Sequence, residues 1–82
     1  MIYRNGKIMA ISYKKLWKLL IDREMTRTEL RKLSGISSAT LAKLGKNQNV
    51  NTESLVKICS VLRCNIEEIM EIAEEGVDDE EA

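Results

Sequence analysis

One short pattern, written five times, constrains this chain more than anything else in it: an apolar residue, then a Ser, Thr or Asn, then three residues, then a second apolar residue. The copies are Ile11-Ser12 to Leu16, Met25-Thr26 to Leu30, Ile36-Ser37 to Leu41, Val50-Asn51 to Leu55, and Cys64-Asn65 to Ile69. In each, the polar side chain can accept a hydrogen bond from one of the orphaned N–H groups of a first helical turn, and the apolar pair closes as a hydrophobic staple. Glu29 and Glu68 stand three residues after their caps and complete capping boxes. The pattern predicts five helices, starting at Ser12, Thr26, Ser37, Asn51 and Asn65.

Apolar residues recur at helical spacing behind every cap: Leu16 with Leu20, Leu30 with Leu33, Leu41 with Leu44, Leu55 with Ile58 and Leu62, Ile69 with Ile72. These are the expected core. Consecutive caps lie 14, 11, 14 and 14 residues apart, so the second helix and its turn form the shortest unit. Gly35 stops that helix, because glycine takes a left-handed conformation without steric cost, and Ile36 is left to dock before Ser37 opens the next helix. A short helix, a tight glycine turn and a second short helix, from about Thr26 to Leu44, make a helix-turn-helix.

The rest of the composition agrees. A chain of 82 residues, 44% hydrophobic and without proline, builds one modest core of helices, so the expected class is all-α. No apolar run is long enough to span a membrane or to act as a signal peptide, which places the protein in the cytoplasm. Cys59 and Cys64 are the two cysteines and there is no histidine. No zinc site or disulfide framework is expected, no cofactor is implied, and both thiols read as small apolar fillers. With no metal cluster, phosphate-cradling loop or paired acids, an enzyme is not expected.

The zero net charge hides an asymmetry. Residues 1–46 carry eleven Lys and Arg against three acids, a net +8, and residues 47–82 carry two against ten, a net −8. Such a split suits one face turned to a polyanion and another turned away.

The ends stand apart. Residues 1–10 contain Asn5-Gly6 between two apolar stretches, which can close a small type I′ hairpin or contribute a dimer arm; such a ribbon alone is marginal in water and needs a partner surface. Met9 offers an alternative start. Residues 11–74 form the helix-turn-helix domain. Residues 75–82 are too acidic and too poor in apolar side chains to pack, and are expected to be disordered.

The stretches Met25-Thr26-Arg27-Thr28-Glu29-Leu30 and Gly35 through Leu44, followed by Val50 through Leu55 and Lys57-Ile58-Cys59 through Ile69-Met70-Glu71, resemble the Cro/cI-type (Xre-like, lambda-repressor-like) regulators of bacteria and phages. The resemblance covers roughly Ile11 to Ile72. It implies a compact five-helix domain whose third helix, about Ser38 to Leu44, enters the major groove of double-stranded DNA while the second crosses the backbone. Carried over position by position, it makes Ser37, Ser38, Ala39 and Lys43 the base-contact candidates and sets Thr40 near a phosphate. Arg27 stands where such proteins usually carry a phosphate-bonding Gln, and Lys46, Asn47 and Asn49 are expected beside the backbone with Gln48. Gly45 departs from the acidic residue that commonly closes the third helix.

The function implied is a sequence-specific transcriptional regulator that binds as a homodimer, through the fifth helix with Met70 and Ile72 or through the N-terminal segment. Trp17 is expected in core or interface packing, because the first helix carries more apolar surface than one buried stripe requires. A second reading stays open: an antitoxin-like or anti-regulator module whose acidic C-terminal half covers a basic protein partner.

Overall fold

The computed structural model describes residues 2–3 and 7–74. These form β1 (Ile2–Tyr3), β2 (Lys7–Ser12), α1 (Lys14–Asp22), α2 (Arg27–Ser34), α3 (Ser38–Gly45), α4 (Thr52–Leu62), a 3₁₀ turn (Ile66–Glu68) and β3 (Glu71–Glu74). The expected all-α, five-helix domain is thus corrected, among the described residues, to four α-helices and a three-stranded antiparallel sheet in the order β1-β2-β3.

Three caps form as read. Thr26 Oγ1 accepts the Glu29 N–H at 3.0 Å while Glu29 Oε1 accepts the Thr26 N–H at 2.8 Å, a complete capping box. Ser37 Oγ accepts from the Thr40 N–H at 3.0 Å, and Asn51 Oδ1 from the Ser54 N–H at 2.8 Å.

The first and fifth copies do something else, for one shared reason. Ser12 and the segment after Asn65 are drawn into the same sheet, where Ser12 pairs with Glu71, Ile11 with Ile72, Ala10 with Ala73 and Met9 with Glu74. Ser12 therefore ends β2, and Tyr13 takes the N-cap position of α1 without a side-chain cap of its own. At the other end, Glu68 Oε2 accepts the Asn65 N–H at 3.0 Å, but the turn so closed lasts only one 3₁₀ turn before the chain extends. An open strand edge on β2 is satisfied better by a neighbouring strand than by a fifth helix, and this tertiary pairing overrides the local helical signal.

Extension separates two residues that helical spacing would have stacked: Ile69 is fully buried and Ile72 is 59% exposed. The same strand supplies the partner that the N-terminal hairpin needed. The backbone pairs Tyr3 with Lys7 and Ile2 with Ile8. The proposed turn at Asn5-Gly6, like the acidic segment 75–82, lies outside the described residues. β2 also runs across the boundary expected between residues 10 and 11.

The core gathers Tyr13, Leu16 and Leu20 from α1 and its cap, Leu30 from α2, Ile36 from the turn, Leu44 from α3, Leu55, Ile58 and Leu62 from α4, and Ile69. Burying each of the leucines and isoleucines among them stabilises the fold by about 1.5–3 kcal/mol. Leu33, counted with Leu30 by its spacing, is 64% exposed, and Leu30 is the buried residue of α2. Among the described residues no helix is long and apolar enough to cross a membrane.

Candidate nucleic-acid interface

The turn between α2 and α3 sets the direction of α3. Gly35 sits at φ 81°, in the left-handed region, and its N–H closes on the Arg31 carbonyl at 2.9 Å. Ile36 then drops into the core, and Ser37 caps α3. With Leu44 buried and Leu41 packed beside it, α3 is braced along one side only.

Its opposite side is an open stripe. Ser38, Ala39, Ala42 and Lys43 are all exposed, and their i, i+1, i+4, i+5 spacing puts them on one helical face. Ser38, Ala39 and Lys43 were expected there; Ala42 was not, although its place four residues after Ser38 carries the signal. From Leu30 to Thr52 the chain contains no acidic residue, so no carboxylate interrupts this surface along its own segment.

Ser37 does double duty at the start of the stripe. Besides accepting from the Thr40 N–H, its hydroxyl donates to Thr40 Oγ1 at 3.1 Å. The Thr40 oxygen is thereby an acceptor in this bond, and its own hydroxyl proton is left for another acceptor such as a phosphate oxygen.

Arg27, the first residue of α2, is exposed and lays its guanidinium on the face of Trp17, with the guanidinium carbon 3.7 Å from the ring centroid. Trp17 itself is half-buried against the core, so its packing role and its stacking role coincide. Gly45, at the end of α3, stands beside the same guanidinium: a Cβ there would come within 3.3 Å of Arg27 Nη1.

After α3, Lys46 and Asn49 are exposed. Asn47 is exposed too, but its Oδ1 accepts the Tyr13 N–H at 3.0 Å, leaving only its amide Nδ2 to face outward. Two of the N-terminal cations, though exposed, are tied to backbone carbonyls. Arg23 Nη1 donates to the Leu62 carbonyl at 2.7 Å, and Lys15 Nζ donates to the Glu67 carbonyl at 2.9 Å with Glu71 Oε1 4.0 Å away. Lys43 and Lys46 lie on and just after α3, Arg27 stands beside its last residue, and Arg31 and Lys32 lie farther along α2.

A glycine-turned pair of short helices, the second presenting an acid-free outer face, defines a helix-turn-helix protein. The model of the Cro/C1-type helix-turn-helix DNA-binding domain matches residues 15–75, and the chain belongs to that family. It is similar to the crystal structure of the transcriptional regulator VanUg, at 47% identity and a TM-score of 0.80, over 92% of this chain and 100% of that one. No curated protein matches it.

Proposed function

We propose that this protein is a sequence-specific transcriptional regulator that reads the major groove of double-stranded DNA with α3. The observation that carries the reading is the outer stripe of α3, exposed, free of acids and braced from behind by α2 and the core. Its dimensions suit the groove, which admits one α-helix.

Ser37, Ser38, Ala39 and Lys43 contact base edges: hydroxyls donate or accept, Ala39 meets a thymine methyl, and Lys43 reaches guanine O6 or N7. Arg27, Thr40, Lys46, Asn49 and the free Nδ2 of Asn47 hold phosphates and set the register. One such helix covers only half a site, so the working unit is a homodimer with its two reading helices one DNA turn apart, about 34 Å. The regulatory role of VanUg, similar over nearly the whole chain, supports the same assignment.

The test is a titration of labelled duplexes, genomic and random, at two salt concentrations. Arg27→Ala weakens binding to every sequence alike and lowers the salt slope by about 0.9. Lys43→Ala relaxes preference at one base pair. Equal losses on specific and random duplex from both variants would remove this division of roles, and salt-independent or absent duplex binding would remove the reading itself.

A further inference from the structure

We propose that Trp17 and Gly45 are positioning residues, which together seat the Arg27 guanidinium as a preset ligand for a backbone phosphate of duplex DNA. The inference rests on the reading of Arg27 as a phosphate contact and says how that contact is built. Three observations carry it.

First, the guanidinium lies 3.7 Å from the Trp17 ring centroid, in stacking contact. Stacking uses the face of the guanidinium and leaves its N–H edge for hydrogen bonds, so the ring fixes the cation without consuming the donors a phosphate needs. Holding a long side chain in one place before the ligand arrives removes part of the ordering cost of binding.

Second, Gly45 has no backbone reason to be glycine. It is the last residue of α3, and Gly35 is the only described glycine with a positive φ. Glycine is among the poorest helix formers, so its presence here needs another cause. The cause on view is the approach of Arg27 Nη1, only 3.3 Å from where a Cβ would stand, closer than ordinary van der Waals contact. A Cβ at this position requires the guanidinium to shift by a few tenths of an ångström from its stacked place.

Third, among the described residues no carboxylate pairs with Arg27. The guanidinium is thus held by an aromatic face and a gap, with its formal charge uncompensated. Arg23, by contrast, donates an N–H to the Leu62 carbonyl.

The test is a double-mutant cycle read on labelled duplex, using Trp17→Leu, Arg27→Ala and the two combined, with thermal unfolding of each variant alongside. Trp17→Leu is expected to weaken duplex binding about two- to fivefold when Arg27 is present, the worth of one exposed cation–π contact. In the Arg27→Ala background the same change has almost no effect. Trp17→Phe, which keeps a weaker aromatic face, falls between.

Gly45→Ala guards against misfolding of the Trp17 variants. It is expected to weaken binding about twofold or more while leaving the melting temperature unchanged or raised. An equal loss from Trp17→Leu in both backgrounds, or unchanged binding by Gly45→Ala, overturns the seat and leaves Arg27 as a phosphate contact. If Arg27→Ala changes neither affinity nor salt slope, the underlying reading of Arg27 falls, and the seat with it.

Discussion

The main-chain N–H of Tyr13 donates to the side-chain Oδ1 of Asn47 across 3.0 Å, although the two residues are 34 apart in sequence. The Tyr13 phenol, buried in the core, then donates to the neighbouring Gln48 carbonyl at 3.0 Å. The N-terminus of α1 is therefore capped from the loop that leaves α3, and the same pair of bonds pins that loop beside the proposed reading helix. Asn47 suits the task because it holds φ 56°, a left-handed conformation that asparagine tolerates better than most residues.

Asn47→Ala should accordingly destabilise the fold by about 1–2 kcal/mol, the range for losing a helix cap. Asn47→Asp, which keeps the acceptor, should retain most of that stability. Ser12→Ala should cost less than half as much, because Ser12 Oγ meets only the Lys14 N–H, at 3.3 Å. Chemical denaturation of the three variants ranks them, and a larger loss from Ser12→Ala than from Asn47→Ala would restore the local cap.

This ordering reverses what the sequence suggests, and the reversal marks where local reading stops. Thr26, Ser37 and Asn51 were legible because each cap, its first turn and its staple lie within a few residues of one another. Gly35 was legible for the same reason. The Ser12 and Asn65 copies carry equally good local signals, and both are overruled by a sheet pairing between residues about sixty positions apart, which no window of helical length contains. The candidate interface divides in the same way. Its stripe lies within α3 alone, and the family resemblance of that one segment was enough to name Ser38, Ala39 and Lys43. The contacts of Arg27 with Trp17 and Gly45, and of Asn47 with Tyr13, join different elements and needed the fold.

Gly35 gives a clean measure of backbone strain. Its φ of 81° is costly for an L-residue, yet a Cβ there would meet nothing within 4 Å. Gly35→Ala should therefore cost about 1–2 kcal/mol from conformation alone, and Gly35→Asn distinctly less. Thermal unfolding checks the pair, and equal losses from both would point to sterics that the geometry does not contain.

Alkaline pH should destabilise the protein through two groups. Burial raises the Cys64 thiol, helped by the adjoining Cys59 and by Glu68 against the opposing charge of Arg23, to about 11 from an ordinary 9.0. Burial also raises the Tyr13 phenol above its ordinary 10.0. Both groups are neutral when protonated, and the folded state favours that form. The stability this represents is complete below the unfolded values and is lost as pH rises through the folded ones. The unfolding midpoint in denaturant should hold up to about pH 9 and fall above it, and Cys64→Ala should flatten the first part of the fall. A variant that tracks the wild type throughout would clear the thiol of any part in it.

Arg23 separates structural cations from ligand-binding ones. By sequence it belongs to the basic half and looks like one more charge for a polyanion. In the fold its Nη1 donates to the Leu62 carbonyl at 2.7 Å, at the end of α4. The carbonyls there lack partners within the helix and carry the negative end of its dipole, so a cation is worth most at this position. It also holds the last turn of α1 against the last turn of α4, since Arg23 is the C-cap residue of α1. Arg23→Ala should thus lower stability by about 1.5–3 kcal/mol, the range for a charge-assisted hydrogen bond. Its salt slope for duplex binding should match the wild type, and Arg27→Ala should show the opposite pattern, with a reduced slope and a modest change in stability. A reduced slope for Arg23→Ala at wild-type stability would mean that this guanidinium faces phosphate in solution and not the end of α4.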